Sequence, residues 1–136
     1  MICPKCSSKL IKQDKRFVCE NNHSYDIARQ GYVNLILNGS VHGDSKEMVV
    51  ARTEFLNHGY YACLQEKLCE LIEKYQPNRL VDLGCGEGYY TSKMALQAQE
   101  CIGVDLSKDA LKTAARIDKK SQYIVARTLH LPIEEN

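Results

Sequence analysis

Between residues 46 and 76 the apolar positions of this chain follow the period of an α-helix twice. The first set begins just after Asp44 and Glu47, whose spacing matches a capping box in which the aspartate accepts from first-turn amides. Gly59 separates it from the second set, which Pro77 ends. The pattern therefore predicts two consecutive helices, with stripes made of Met48, Ala51, Phe55 and Leu56 and of Tyr61, Leu64, Leu68, Leu71, Ile72 and Tyr75.

From residue 79 onwards, short apolar runs alternate with helical patterns. The first run ends in glycine and suits a buried parallel strand, and Ser107 can cap the helix that follows the second run. The predicted strands are residues 79–84, 101–107 and 122–127, and the predicted helices are residues 89–98 and 108–117. This alternation is the start of a doubly wound α/β sheet with right-handed crossovers.

Composition divides the chain into three segments. Residues 1–37 are rich in cysteine, lysine and turn-forming residues, and they end in a short predicted strand at 31–37. Residues 38–45 contain two glycines, an asparagine and two serines, as expected of a flexible linker. Residues 46–136 hold the two helices and the alternating region, which we expect to form a helical lead-in and part of a Rossmann-like cofactor domain.

The overall composition is typical of a globular protein. Of the 136 residues, 44% are hydrophobic and 26% are charged, with a formal net charge of +1. No apolar run approaches the roughly 18 residues needed to cross a bilayer, and the amino terminus lacks the apolar stretch of a secretory signal. We therefore expect a cytoplasmic protein that does not associate with membranes, and in which the seven cysteines are not a disulfide framework.

Three cysteines and a histidine near the amino terminus have the spacing of a metal site. Cys3 and Cys6 are separated by two residues, twelve residues then precede Cys19, and three more precede His23. Two thiolates on one tight turn, with a distant cysteine and histidine, can close a tetrahedron around zinc. So short a segment has too little core to fold alone, and four protein ligands leave no open position. We therefore predict a structural Zn²⁺ in a zinc-ribbon-like module; a set of unrelated buried cysteines is the alternative.

The four remaining cysteines fall in apolar helix or strand patterns. We expect Cys63, Cys69, Cys85 and Cys101 to be small core residues rather than nucleophiles. Cys85 lies inside the glycine turn, so that lining a ligand pocket is the alternative for this residue.

Three alternate glycines follow an acidic residue at the end of the first predicted strand. Gly84, Gly86 and Gly88 form a G-x-G-x-G pattern, whereas the dinucleotide fingerprint places its third glycine one position later, where this chain has a tyrosine. A dinucleotide also needs its pyrophosphate at a helix amino terminus. S-adenosylmethionine carries a sulfonium and an α-amino group instead, so the nearby carboxylates of Asp82 and Glu87 favour it. The turn therefore predicts a site for S-adenosylmethionine, and a turn that binds nothing is the alternative.

A second acid, Asp105, ends the next predicted strand. It follows Gly84 by 21 residues, near the offset of roughly 20 residues at which an acid meets ribose hydroxyls in nucleotide sites. This position fits either cofactor. We also assign Leu106, which follows it, to the cofactor site, and we expect residues 125–127, with Ala126 at their centre, to border the adenine.

Several stretches of the chain resemble the RlmA-type 23S rRNA (guanine-N1)-methyltransferases: the zinc spacing with "SYDIARQGYVNL", then "GDS", "FLNHGYY", "VDLGCGEGYYT" and "GVDLSKDAL". Members of this family join an N-terminal zinc module to a class I S-adenosylmethionine-dependent domain. The resemblance covers nearly every residue of the chain. It implies that Tyr61, Gly86, Glu87 and Asp105 lie around the cofactor. It also implies that the zinc ligands are Cys3, Cys6, Cys19 and His23.

The same resemblance implies the reaction and its substrate. The methyl acceptor is N1 of a guanine in a hairpin loop of 23S rRNA, and one branch of the family confers resistance to macrolide antibiotics of the tylosin type. Guanine N1 must also lose its proton, which requires a base or a polar contact to O6. The sequence assigns no catalytic residue to that step.

The resemblance further implies that only part of the cofactor domain is present. Class I methyltransferases have a sheet of strand order 3-2-1-4-5-7-6, and this sequence supplies strands 1, 2 and 3. We expect a fragment that is poorly active alone and that could form a homodimer through the bare edge of strand 1.

Two other functions stay open beside this one. The chain could be a non-catalytic, zinc-dependent RNA-binding fragment, or part of a small-molecule methyltransferase that uses S-adenosylmethionine. The first alternative draws on an excess of basic residues in the first 30 positions, namely Lys5, Lys9, Lys12, Lys15, Arg16 and Arg29.

Overall fold

The amino-terminal segment forms a small antiparallel sheet. The computed structural model describes residues 1–134, so the last two residues of the predicted cofactor domain lie outside the described part. Strands β1 (Ile11–Gln13), β2 (Arg16–Val18) and β3 (Ser24–Asp26) lie side by side in that order. Phe17 of the central strand is buried and is opposite Tyr25 of β3. The zinc-ribbon-like architecture predicted for this segment is thereby confirmed.

Two helices follow, and the start of the first corrects the predicted cap. Helix α1 (Lys46–Asn57) is capped by Ser45, whose hydroxyl accepts from the Met48 amide at 3.4 Å, and not by Asp44. Asp44 stands one residue too early to reach the free amides of the first turn, and its carboxylate instead pairs with Arg52. Helix α2 (Ala62–Tyr75) follows after a short turn, as predicted.

The second sheet is parallel and contains one strand that the sequence did not assign to it. Its strands are β4 (Tyr32–Asn34), β5 (Arg79–Leu83), β6 (Glu100–Asp105) and β7 (Gln122–Val125), in the order β4-β7-β6-β5. The three strands predicted from the alternating region are thus confirmed, in the order expected for a doubly wound sheet. Strand β4 comes from the amino-terminal segment and aligns Val33 with Ile124 of β7.

The two connecting helices differ in length. Helix α4 (Lys108–Ile117) is capped by Ser107, as predicted, and it buries Ala110, Leu111, Ala114 and Ala115. Helix α3 (Thr91–Met94) has only four residues, so the longer helix predicted for residues 89–98 is wrong. After Met94 the amides of Leu96 and Gln97 donate to carbonyls three residues back, and this tighter turn leads the chain into β6.

One of two hydrophobic clusters in the described residues joins the two sheets. It contains buried residues of the amino-terminal segment together with residues in or directly after three parallel strands, namely Cys3, Leu10, Phe17, Cys19, Val33, Leu35, Ile102, Val104, Ile124 and Ala126. The Ile2 amide also donates to the Pro132 carbonyl at 2.9 Å. The division into residues 1–37, 38–45 and 46–136 stays a prediction, but packing and pairing cross the first of these boundaries.

The opposite edge of the parallel sheet is open. Within residues 1–134, β6 is the only strand that pairs with β5, and Leu83 at the end of β5 is 50% exposed. No described helix is long and apolar enough to span a membrane.

Candidate functional site

The predicted zinc ligands lie on two tight turns that face each other. In the first, the Ser7 amide donates to the Cys3 carbonyl at 2.8 Å, and Ser7 has a left-handed φ of 58°. In the second, the Asn22 amide donates to the Cys19 carbonyl at 3.0 Å, and Asn22 has a φ of 61°. Each turn therefore presents one buried cysteine and a second ligand three or four residues later.

The four ligand atoms have the spacing of a zinc tetrahedron. Cys6 Sγ lies 3.7 Å from Cys19 Sγ, and His23 Nδ1 lies 3.4 Å from Cys3 Sγ and 3.5 Å from Cys19 Sγ. All four atoms fall within 4.8 Å of one another. Zinc bonds of about 2.3 Å to sulfur and 2.0 Å to nitrogen place tetrahedral ligands about 3.5–3.8 Å apart. The residues fit a closed Cys₃His zinc site in which His23 binds through Nδ1.

Hydroxyl groups support two of the thiolates. Ser8 Oγ lies 3.0 Å from Cys6 Sγ, and its hydrogen bond lowers the pKa of the Cys6 thiol to about 5. The Tyr25 hydroxyl lies 3.2 Å from Cys3 Sγ, and burial raises its pKa, so that it keeps its proton and donates. Both contacts favour the deprotonated sulfur, which is the form that binds a metal.

The glycine turn follows β5 and is held against β6. The amides of Gly84 and Cys85 both donate to the Val104 carbonyl, at 2.8 and 3.1 Å. Gly84, Gly86 and Gly88 have φ values of 80°, 56° and 83°, which L-residues rarely adopt. The turn therefore needs glycine at all three alternate positions for its backbone conformation.

Acidic side chains surround this turn at the carboxyl ends of the strands. Asp82 Oδ2 accepts from Thr91 Oγ1 at 2.6 Å, and burial raises the pKa of Asp82. Glu87 is 5% exposed, and burial raises its pKa as well. Asp105 accepts from the Gly86 amide at 2.9 Å through Oδ2 and from the Ser107 amide at 2.8 Å through Oδ1.

This arrangement fits S-adenosylmethionine better than a dinucleotide. Three carboxylates around one turn repel a pyrophosphate and attract a sulfonium and an ammonium. Each carboxylate oxygen of Asp105 accepts from one amide and keeps a second lone pair, so the carboxylate can still accept two ribose hydroxyls. A Cβ on Gly84 would meet nothing within 4 Å, which leaves room beside the turn for a ligand.

The remaining predicted cofactor residues lie at different distances from this centre. Leu106 lines a cavity of about 500 Å³ between the start of α4 and the 38–45 segment. Ala126 is buried directly after β7, and its amide donates to the Asp105 carbonyl at 3.3 Å. Tyr61 stands at the start of α2 with its ring 5.9 Å from that of Phe55, so its place in the site stays a prediction.

The cysteines outside the zinc site divide between core and surface. Cys85 and Cys101 are buried as predicted, and burial raises the pKa of both thiols. Cys69 is half-buried, whereas Cys63 is exposed and its prediction as a core residue is wrong. The reason is that α2 has no fully buried residue in the described structure, so its apolar stripe is not covered.

The sequence interpretation missed Arg52, which lies beside the glycine turn. Its Nη1 atom lies 3.5 Å from the position that a Cβ on Gly86 would take, and its Nη2 atom lies 2.7 Å from Asp44 Oδ2. One signal could have revealed it, because Arg52 lies four residues after Met48 and four before Leu56, on the apolar stripe of α1. A cation on that stripe is expected to have a partner or a ligand.

Comparisons with known proteins agree with both halves of the site. A family model described as "RlmA, N-terminal", a zinc ribbon, matches residues 1–37, and one described as "Methyltransferase domain" matches residues 81–136. A solved structure from Methanococcus maripaludis, described as an S-adenosyl-L-methionine-dependent methyltransferase, has a TM-score of 0.60 at 17% identity. It covers 74% of this chain, which covers 50% of it, and this likeness shows the fold alone.

Two curated relatives extend the match over almost the whole chain. The 23S rRNA (guanine(748)-N(1))-methyltransferase of Streptomyces fradiae is 35% identical over 91% of this chain and 47% of its own length. A Micromonospora griseorubida protein named for guanine-N(1) methylation of 23S rRNA is 33% identical over 93% of this chain and 50% of its own length. The chain thus spans about half the length of the curated relatives it matches. The chain therefore matches an RlmA-type zinc ribbon and a methyltransferase domain, and over more than 90% of its length it is similar to 23S rRNA (guanine-N1)-methyltransferases.

Proposed function

We propose that this chain is the zinc-bearing and cofactor-binding part of an enzyme that methylates N1 of a guanine in a hairpin loop of 23S rRNA. The observation that carries the proposal is the glycine turn ringed by the carboxylates of Asp82, Glu87 and Asp105. This ring suits a cationic methyl donor. The names of the relatives in Streptomyces fradiae and Micromonospora griseorubida support guanine N1 of 23S rRNA as the acceptor.

In this proposal each element of the turn has a separate task. Gly84 and Gly86 let the backbone approach the cofactor closely, while Asp82 and Glu87 stabilise its cationic end. Asp105 holds the ribose hydroxyls. Leu106 and Ala126 border the adenine, Gly88 closes the turn and Tyr61 lies over the amino-acid end.

Held by Asp82, Glu87 and Asp105, S-adenosylmethionine would supply an electrophilic methyl group for guanine N1. The contribution of this chain is to hold that methyl group in a fixed direction, since an in-line displacement depends on alignment. The amides of Gly86 and Ser107 both donate hydrogen bonds to the Asp105 carboxylate, and these bonds make the turn and the strand end one rigid unit.

The zinc-ribbon segment is the proposed RNA-binding element. Its basic side chains are exposed, so that they are free to contact phosphates: Lys5, Lys9, Lys12, Lys15, Arg16 and Arg29. Sequence-specific recognition of RNA occurs mainly in loops, where bases can leave their stack. A rigid connection from this segment to the cofactor site would fix the distance between the gripped loop and the methyl group.

Methylation can be tested on the product of the complete reading frame. The protein is incubated with S-adenosylmethionine and a 23S rRNA transcript, and the digested nucleosides are analysed by mass spectrometry. We expect 1-methylguanosine from the transcript and no methylation of small-molecule acceptors. Binding of nicotinamide or flavin dinucleotides in place of S-adenosylhomocysteine would overturn the proposal.

Three finer properties belong to the same proposal. Its rRNA substrate places the enzyme in the cytoplasm, and a relationship to the resistance branch predicts reduced sensitivity to tylosin-type macrolides. The open edge of β5, where Leu83 is exposed, supports a homodimer. Sedimentation of the wild-type chain and of Leu83→Lys tests the last point, because the charged edge should favour the monomer.

A further inference from the structure

Arg52 occupies a defined position between the 38–45 segment and the glycine turn. It lies on α1, which brings its guanidinium close to Gly86 in the turn. Asp44 takes the Nη2 side at 2.7 Å, while Nη1 lies over Gly86. Because the guanidinium group is a planar fork, a pair made on one side leaves donors on the other side directed at a second acceptor.

The orientation of this arginine is fixed by the end of strand β6. Ser107 Oγ donates to the Asp44 carbonyl at 2.6 Å, and the Ser107 amide donates to Asp105 Oδ1 at 2.8 Å. Gly43 packs so closely on the Ser107 backbone that a Cβ there would clash. Segment 38–45 is therefore docked at its end, and Asp44 is a firm anchor for the guanidinium rather than a passing partner.

The charges around Arg52 show what a second acceptor would have to be. Burial raises the pKa of Glu87 and the nearby Asp105 carboxylate adds to this shift, whereas the Arg52 guanidinium lowers the pKa of Glu87. A ligand carrying both a cation and a carboxylate could place its cation against these acids only if its carboxylate met a positive group. Arg52 is the cation that the structure brings to Gly86.

We propose that Arg52 binds the α-carboxylate of the cofactor's amino-acid end, with Asp44 as its positioning residue. This assignment rests on the proposed function, since it names a residue of the same cofactor site. It also predicts which ligands depend on Arg52. The affinity of cofactor analogues that keep the carboxylate should depend on Arg52, whereas the affinity of analogues that lack it should not.

The test compares two ligands that share the adenosine part of the cofactor. S-adenosylhomocysteine carries the carboxylate, whereas 5′-methylthioadenosine lacks the whole amino-acid end. Dissociation constants are measured for the zinc-loaded product of the complete reading frame, for its variants Arg52→Gln and Arg52→Lys, and for the control Arg116→Gln, which removes an exposed arginine near the end of α4. Circular dichroism spectra establish that each variant is folded.

We expect Arg52→Gln to raise the dissociation constant of S-adenosylhomocysteine about 10- to 100-fold, which is the range for losing a hydrogen bond to a charged group. The dissociation constant of 5′-methylthioadenosine should change by less than about twofold. Arg52→Lys should lie in between, and Arg116→Gln should match the wild type. Asp44→Asn should weaken the binding of S-adenosylhomocysteine alone, and by a smaller factor than Arg52→Gln does.

Each contrary result has its own meaning. An equal loss for both ligands, or no loss for either, overturns the role of Arg52 in carboxylate binding. If the wild type binds both ligands equally well, the carboxylate is not recognised, although the nucleoside site of the proposed function stands. If the wild type binds neither ligand, the proposed function fails together with this assignment.

Discussion

At the scale of single residues, two glycines of the turn share a left-handed backbone but differ in their surroundings. Gly84 has a φ of 80° and open space beside it, whereas a Cβ on Gly88 would lie 2.9 Å from Ala114 Cβ and 3.0 Å from the Tyr123 hydroxyl. For the packing of the protein itself, the first glycine thus matters only through its backbone conformation. The second also allows helix α4 and strand β7 to pack against the turn.

Alanine substitutions separate these two requirements. Gly84→Ala should cost about 1–2 kcal/mol of unfolding free energy from the left-handed backbone. Gly88→Ala should cost about 1–3 kcal/mol more, because Ala114 and Tyr123 must move. Gly59→Ala is the control, since its φ of 84° is similar and nothing lies within 4 Å. Urea unfolding measures all three, and equal losses at Gly84 and Gly88 would contradict the packing role.

Ionisation of the buried Asp82 carboxylate should lower the free energy of unfolding of the protein. Burial raises its pKa in the folded state, so folding favours the protonated form and stability falls as pH rises through the raised pKa. Asp82→Asn keeps an acceptor for Thr91 and should be as stable as the wild type or more stable at pH 7.5. That advantage should shrink as the pH is lowered, whereas the exposed control Asp26→Asn should show no such trend. A variant that is less stable at every pH would contradict this account.

At the scale of elements, the sequence predicted what periodic patterns encode and missed what depends on distant partners. Strands β5 to β7 and helix α4 were predictable because each has a clear apolar period and a cap or glycine at its end. The pairing of β4 was not, since three residues carry no period and their partner lies about 90 residues away in sequence. Arg52 was missed for a similar reason, because its role follows from its contact with Asp44 and its position beside Gly86 in the folded chain.

Strand β4 provides the test at this scale. Val33 is fully buried at its centre, in the core shared by the two sheets, while Val50 on α1 is 49% exposed. Val33→Ala should therefore lower the unfolding free energy by about 2 kcal/mol through lost burial and the cavity left behind. Val50→Ala removes the same atoms at the surface and should change it by less than about 0.5 kcal/mol. Thermal and urea unfolding would show the contrast, and similar small losses in both variants would mean that β4 is only loosely attached.

At the scale of the whole molecule, one hydrophobic cluster connects the zinc site to the parallel sheet that carries the glycine turn. The core that contains Cys3 and Cys19 continues through Val33 to Ile124 of the parallel sheet. Because a structural metal contributes its binding energy to whatever unit folds around it, the zinc should stabilise the cofactor sheet as well as the ribbon. The alternative is a ribbon that folds independently on a flexible tether.

Removal of zinc distinguishes these two arrangements. With a chelator present, we expect hydrogen exchange to accelerate in β1 to β3 and also in β4, β6 and β7, because their amides are protected by the same core. Strand β5, at the far edge of the sheet, should respond least. Affinity for S-adenosylhomocysteine should fall in parallel, and added Zn²⁺ should restore both protection and binding. The substitution Cys63→Ser, at an exposed cysteine outside the metal site, is the matched control and should leave the exchange pattern unchanged. If exchange accelerated in β1 to β3 alone while β6 and β7 stayed protected, the zinc would stabilise only the amino-terminal segment. That result would contradict the proposed rigid connection between the RNA-binding segment and the cofactor site.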